Sequence, residues 1–374
     1  MRVLLVEPDF PRARKSRNHA NGAPLALLKL AMYHQERGDQ VALARSGALP
    51  RCYGAHRVLV TSLYTYWATY VREAVRECRE LFPSARIIVG GVYASLMPEH
   101  CVTYTGCDEV HIGVHEQAER CLPAYDLVGG EVQVLQASRG CPRRCPFCGV
   151  WRLEPWFRPK KSVRGEVRRR RLVFYDDNFL ANPYVEDILD ELAAVRVEGM
   201  PVLCESQSGF DGRVLLERPH LGLLLRRARF RYPRIAWDGP LGHAKCVREQ
   251  LAILGSAGFQ PQDTYMFMVY NWQIPFAEME AKRRVCFEWG VQVADCRFRP
   301  LDQTYDRYVA GPPGRVFQTS ADYYIHKPVW TDQQIRQFRK NVREHNIAIR
   351  MGRPYSRELE KWGRHRARSL SAAR

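Results

Sequence analysis

The residues best equipped for chemistry are three cysteines in one short stretch, Ser138-Arg139-Gly140-Cys141-Pro142-Arg143-Arg144-Cys145-Pro146-Phe147-Cys148. Thiols separated by three and then two residues, in a loop punctuated by Gly and Pro, can turn their sulfurs toward one point because the loop obeys no helix or strand period. Two metal chemistries compete for such a set. A structural zinc site calls for a fourth Cys or His close by, and between Cys121 and Cys204 there is no Cys or His beyond these three. An iron-sulfur cluster makes use of the same shortfall, since three thiolates leave one iron of a 4Fe-4S cluster open to a substrate or cofactor. Arg139, Arg143 and Arg144 are expected to favour the thiolates, because nearby cations lower a Cys pKa from about 8.5.

The elements that position this loop can be read from hydrophobic alternation. Of 374 residues, 46% are apolar and 26% charged, which excludes a disordered tail and leaves room for two or three domains. Short apolar runs at Val3 to Val6, Val41 to Ala44, Val58 to Thr61, Ile87 to Val89 and Val110 to Ile112 predict strands. Leu25, Leu28 and Met32 space one helix between them, and Val71, Ala74, Val75, Cys78 and Leu81 another. This is an α/β pattern, a Rossmann-like domain over residues 1–130 with ligands expected beyond the carboxyl ends of its strands. A second series of strands follows at Val132 to Ala137, Leu172 to Tyr175, Val202 to Glu205, Ile235 to Trp237, Tyr265 to Tyr270 and Val291 to Ala294. Helical patterns at Val185, Ile188, Leu189 and Leu192, and at Val247, Leu251 and Leu254, separate them, predicting a partial (β/α)6 barrel over 131–310. Gly311-Pro312-Pro313-Gly314 ends the series. A basic, largely helical extension fills 311–374, opened by the capping-box spacing of Thr331 and Gln334 ahead of Ile335, Phe338 and Val342.

With the strand before it and the aromatic Phe147 before its last cysteine, the Cys141, Cys145, Phe147, Cys148 pattern resembles the CxxxCxΦC signature of the radical SAM superfamily. The resemblance implies that S-adenosylmethionine chelates the open iron of a 4Fe-4S cluster. One electron from the cluster, supplied by an external reducing donor, then cleaves it to methionine and a 5'-deoxyadenosyl radical. It further implies that Phe147 flanks the adenine, and that acidic groups after the second barrel strand accept hydrogen bonds from the cofactor ammonium. Here that position reads Tyr175-Asp176-Asp177-Asn178-Phe179, which departs from the common GGE motif, and the competing reading is that Asp176 and Asp177 cap the next helix. Glu205 and Gln207, after the third strand, are further candidates for the cofactor. Trp237-Asp238-Gly239 and Tyr270-Asn271-Trp272 would line the substrate, and an arginine of Arg297-Phe298-Arg299-Pro300 would bind an anion or a surface carboxylate.

The order of domains is similar to the cobalamin-binding subclass of that superfamily. Gly90-Gly91 after the fourth strand looks like its GG turn, and Thr61-Ser62-Leu63-Tyr64-Thr65 matches a [S/T]xLxT element, which assigns Thr61, Leu63, Gly90 and Gly91 to cobalamin. His19-Ala20-Asn21-Gly22 keeps HxxG but carries Arg17 where the subclass motif has the Asp that orients the imidazole. A domain that keeps the fold without the cofactor is the alternative. With cobalamin, the implied outcome is methylation of an unactivated carbon; without it, another radical step.

Lys plus Arg outnumber Asp plus Glu by 57 to 40, a formal +17. Much of the excess lies in the run Arg158, Lys160, Lys161, Arg164 and Arg168 to Arg171, and beyond residue 331, where twelve Lys plus Arg face four Asp plus Glu. A small or anionic substrate is expected. Nucleic acid is the less favoured partner because no stacking aromatics interleave Arg168 to Arg171, and the rival of another class is a zinc-containing nucleic-acid-binding module. Twelve cysteines without regular pairing predict a reduced, cytoplasmic protein. No run reaches the ~18 apolar residues of a membrane span.

Overall fold

The computed structural model describes residues 1–11, 22–45, 47–304, 308–310, 316–318 and 330–352. A strand that is apolar on both faces must be covered on both, and β1 (Arg2–Glu7) is buried along all but its first residue. It lies inside a five-stranded parallel sheet with β2 (Gln40–Arg45), β3 (Arg57–Ser62), β4 (Arg86–Gly91) and β5 (Glu109–His111), in the order β2-β1-β3-β4-β5. Leu4 stands opposite Ala42 and Val58, Val60 opposite Val89, and Gly90 opposite His111. This is a doubly wound order, whose ligand crevice lies at the carboxyl ends where the order reverses. Leu27 and Ala31 of α1 (Leu25–Gln35) share a core with Val3, Leu5 and Leu59 on one face. On the other, Val71, Ala74, Val75 and Cys78 of α2 (Ala68–Leu81) pack with Val58, Val60, Ile87 and Val89. Cys78 is the core residue its helical position predicts, its thiol pushed up to about 12 by burial.

The short α3 (Val92–Leu96), α4 (Pro98–Thr105) and α5 (Glu116–Glu119) lead to a second parallel sheet of β6 (Val132–Leu135), β7 (Arg171–Phe174) and β8 (Leu203–Ser206). Its order is β8-β7-β6, with Phe174 opposite both Leu135 and Ser206. Between β6 and β7 lie the cysteine loop and α6 (Val150–Leu153); between β7 and β8 lies α7 (Val185–Ala194), which buries Val185, Ile188, Leu189 and Leu192 as its spacing predicts.

A third parallel sheet, β9 (Arg234–Ala236), β10 (Tyr265–Tyr270) and β11 (Gln292–Arg297), is laid down in chain order. Its helices are α8 (Gly212–Glu217), α9 (Leu221–Arg227), α10 (Ala244–Ser256), α11 (Phe276–Glu288) and α12 (Asp332–Met351). At the start of α12, Thr331 Oγ1 accepts from Gln334 N (3.2 Å) and Gln334 Oε1 accepts from Thr331 N (2.8 Å), the expected capping box. Ile335, Phe338 and Val342 are buried along one face. One turn on, the Asn346 amide accepts from Val293 N (2.8 Å) and donates to Val293 O (2.7 Å), satisfying the open edge of β11 as another strand would.

All eleven expected strands are present, Tyr265–Tyr270 with the same bounds. The chain divides into two compact units, 1–207 with 299–323, and 208–298 with 324–374. The change from the first unit to the second falls just after β8. His19 with Arg17, the Gly311 to Gly314 terminator and the tail beyond residue 352 lie outside the described residues. No described helix is long and apolar enough to cross a membrane.

Candidate functional site

The cysteine loop has a defined neck. Just past β6, Ser138 and Arg139 pair antiparallel with Pro159 and Arg158, which brings the two ends of the loop together. Gly140 follows at a φ of +73°, and a Cβ there would sit 2.6 Å from the Trp156 carbonyl oxygen, so only glycine fits the neck. Cys141, Cys145 and Cys148 are each half-buried, and none of the twelve cysteines is in a disulfide. Cys141 Sγ accepts from Arg143 N (3.4 Å) and Asn178 Nδ2 (3.7 Å), while Cys148 N donates to Cys145 O (3.0 Å). Burial pushes the Cys148 thiol up; Cys145, Asp177 and Cys141 add to the shift, and the Val150 N–H opposes it. The expectation that the neighbouring arginines favour the thiolate is therefore not met at Cys148. The reason is visible at Arg139, whose guanidinium is bound bidentately by Glu154 and also approached by Glu119 at 3.5 Å. Phe147 is half-buried between the second and third cysteines.

The two aspartates after β7 have different surroundings. Asp176 is 1% exposed; its carboxylate accepts from Ser138 Oγ (2.7 Å) and Ala137 N (3.0 Å), tying the end of β7 to the neck. Burial pushes it up to about 7 against those donors. Asp177 is pushed up to about 6 by burial and by Glu154, opposed by Arg139 and the Gly140 N–H, so it is Asp177 that faces the cysteine loop. Neither caps the helix that follows: Asn178 and Tyr184 occupy the N-cap positions of the next two helical segments. Glu205 lies on β8 opposite Val173, and Gln207, just beyond, donates its backbone N–H to Phe174 O (2.9 Å). Both stand at the same strand ends as the aspartates.

A cavity of about 680 Å³ borders the first sheet, and Thr61, Leu63, Gly90 and Gly91 all line it. The two glycines have different reasons to be glycine. At Gly91, φ is +104° and a Cβ would lie 2.2 Å from Ser62 O, so strand packing demands it; at Gly90 the nearest neighbour would be His111 Cβ at 3.7 Å. Sequence reasoning missed His111 and His115 in the same wall, although their place at and just beyond the carboxyl end of a parallel strand could have flagged them. Their rings are 5.4 Å apart. His115 Nδ1 accepts from Ala118 N (3.2 Å), which leaves Nε2 carrying the proton of its neutral ring. Burial and His111 hold the His115 pKa below the usual histidine range. His111 Nε2 is buried with no hydrogen-bond partner. Lys29, itself 5% exposed, meets Glu119 at 2.6 Å in the same wall, which also includes Arg139 and Glu154.

In the second unit, the Trp237-Asp238-Gly239 turn after β9 is held from within. Lys282 of α11 is fully buried, donates to Trp237 O and Gly239 O at 2.8 Å each, and lies 4.8 Å from the Trp237 ring centre. Burial pulls its pKa down to about 8, partly restored by Asp238. Lys282→Met, which leaves both carbonyls unpaired while removing a buried charge, is expected to cost about 2 kcal/mol in urea unfolding. An unchanged midpoint would show that the turn stands without it. At the end of β10, Asn271 is fully buried at a φ of +59°, with neither amide atom hydrogen-bonded.

Much of the basic run is engaged by the fold itself. Arg158 pairs with Glu116 and Lys160 with Glu166, each at 2.6 Å. Arg169 donates to the carbonyls of Val132, Tyr125 and Val128. At the end of β11, the Arg299 guanidinium lies 4.2 Å from the Tyr66 ring centre. Among the described residues, no group of three or more His, Cys, Asp or Glu is arranged to hold a metal ion. No protein-family model matches the chain, and no curated protein matches it.

Proposed function

We propose that the chain is a radical S-adenosylmethionine enzyme that builds a 4Fe-4S cluster on Cys141, Cys145 and Cys148, with its six later β/α units forming a partial barrel. The observation that carries this reading is a three-cysteine loop pinned at its neck beyond the carboxyl end of a parallel strand, with two amide N–H groups, of Arg143 and Asn178, directed at the Cys141 sulfur. Such N–H···S bonds are one of the protein's levers on cluster potential. A zinc ion draws its thiolates to a single centre, whereas a cubane offers each thiolate its own iron. Three cysteines with no further Cys or His between Cys121 and Cys204 fit a cluster that leaves one iron open better than a four-ligand zinc site.

When bound and reduced, the cluster supplies the electron that cleaves S-adenosylmethionine to methionine and a 5'-deoxyadenosyl radical. The chain's own residues bind and orient. Asp177 faces the loop and accepts from the cofactor ammonium, while Asp176 fixes the neck. Glu205 and Gln207 offer polar contacts at the adjoining strand end, and Phe147 flanks the adenine. A reducing compartment suits a labile cluster and twelve cysteines that form no disulfide.

The test is anaerobic reconstitution with iron and sulfide, reduction, and assay for 5'-deoxyadenosine, with Cys145→Ala as control. Iron uptake and cofactor cleavage that the control loses are expected. Stoichiometric zinc, no iron chromophore and no cleavage would sink the reading.

The cavity supports cobalamin as a second cofactor, since all the expected contacts within the described residues line it and His111 Nε2 waits there unpaired. A bound corrinoid would supply a transferable methyl group. His111→Leu should weaken corrinoid retention about tenfold, the loss of one hydrogen bond of roughly 1.4 kcal/mol, read from the visible spectrum after desalting. If the unsubstituted chain retains no corrinoid, the domain has kept the fold without the cofactor.

A further inference from the structure

We propose that Arg139 is a positioning residue that closes the cysteine loop before any cluster is built. Its Nε donates to Glu154 Oε2 at 3.1 Å and its Nη2 to Glu154 Oε1, a bidentate pair between the residue that precedes Gly140 and the residue that ends α6. All three cysteines lie in the segment 140–153 between these two side chains. The same guanidinium donates through Nη1 to Gln136 Oε1 at 3.1 Å and approaches Glu119 Oε2 at 3.5 Å. Glu119 is in turn anchored by Lys29 of α1 at 2.6 Å. A chain of alternating charge, Lys29, Glu119, Arg139, Glu154, thus fastens the base of the loop to the first layer of helices.

Position rather than charge is the role this arrangement leaves to Arg139. Two carboxylates share its single charge, which cancels most of its field at the sulfurs. The side chains are 23%, 19% and 20% exposed for Arg139, Glu154 and Glu119, so solvent screens the pairs less than it does surface bridges. A planar fork binding a carboxylate at two points fixes direction as well as distance, which an ammonium cannot do.

As it concerns the cluster, the inference rests on the proposed function, so its first readout needs no cluster. In the reduced, metal-free full chain, alkylation by iodoacetamide is followed at each cysteine by mass spectrometry. Arg139→Gln is expected to speed modification of Cys141, Cys145 and Cys148 at least fivefold while buried Cys78 and Cys204 stay protected, and Glu154→Gln should do the same. Arg139→Lys should behave like Arg139→Gln, because the fork and not the charge is needed. After reconstitution, both Arg139 variants should hold fewer clusters per chain and give a broader EPR signal.

Unchanged alkylation and an unchanged signal in Arg139→Gln would overturn the proposal. So would full rescue by Arg139→Lys, which would make the residue an electrostatic one. Loss of Cys78 protection in both Arg139→Gln and Glu154→Gln would make the pair a folding element and overturn it too. If the native chain takes up no iron while the alkylation pattern changes as expected, the clamp stands and the cluster reading falls.

Discussion

Gly140→Ala is expected to cut the iron held per chain after reconstitution at least tenfold, while the far-ultraviolet circular dichroism stays that of the native chain. Two separate costs act at this one position. At a φ of +73° an L side chain strains the backbone by roughly 1 to 2 kcal/mol. The added methyl would also stand 2.6 Å from Trp156 O and 3.2 Å from Glu154 O, both backbone atoms that no rotamer change can move. The neck must open, and with it the pairing of Ser138 and Arg139 with Pro159 and Arg158. That pairing holds only two residues on each side, so little resists its loss; β6 and β7 pair independently of it through four residues each. The damage should therefore stay in the loop. Iron content equal to that of the native chain would show that the neck does not govern the site.

Much of this organisation was legible in the sequence because it rests on local pattern. Strands buried on both faces read as short apolar runs, and helices read as stripes, so Val3 to Val6 and the Val185 to Leu192 series were visible without tertiary information. The cysteine loop was legible by residue type and spacing alone. What remained hidden depends on which distant groups meet. Asp176 and Asp177 are adjacent and chemically alike, and only the partners each meets as the chain leaves β7 separate the one that ties the neck from the one that faces the loop. Arg139 looked like a source of positive field beside a thiol. Its carboxylate partners come from α5 and from the end of α6, and no spacing rule announces either. His111 was passed over because a lone histidine in a short strand is ordinary until a cavity is seen beside it.

The net charge is also read differently once the partners of individual arginines are seen. A run such as Arg158 to Arg171 is counted in sequence as available cation, yet Arg169 spends its donors on three backbone carbonyls and lies 4.8 Å from the Tyr125 ring centre. Arginine has five N–H donors in a fixed fork, which suits it to gathering the unsatisfied carbonyls of a turn. In this segment it does so where the chain enters the second sheet, so the basic count there reports on construction as much as on ligands.

Docking of α12 is expected to weaken as pH falls from about 6.5 toward 4, by up to about 3 kcal/mol, through one buried histidine. His345 is fully buried; Nε2 lies 2.8 Å from Val291 O and the Phe287 ring stands 5.3 Å away. Burial pulls its pKa down to about 4, with Arg283 adding to the effect and the Val291 carbonyl opposing it. The folded histidine therefore stays neutral while the unfolded one takes up a proton near pH 6.5, its ordinary value. The unfolded state binds more protons throughout that window, so stability is complete above it, falls as pH drops, and levels off once the folded ring also protonates near 4. His345→Gln keeps a donor for Val291 O and removes the titration. Hydrogen exchange measured on α12 peptides at pH 7 and at pH 4.5 should show the native helix losing protection that the variant keeps. Equal loss in both proteins would place the acid sensitivity elsewhere.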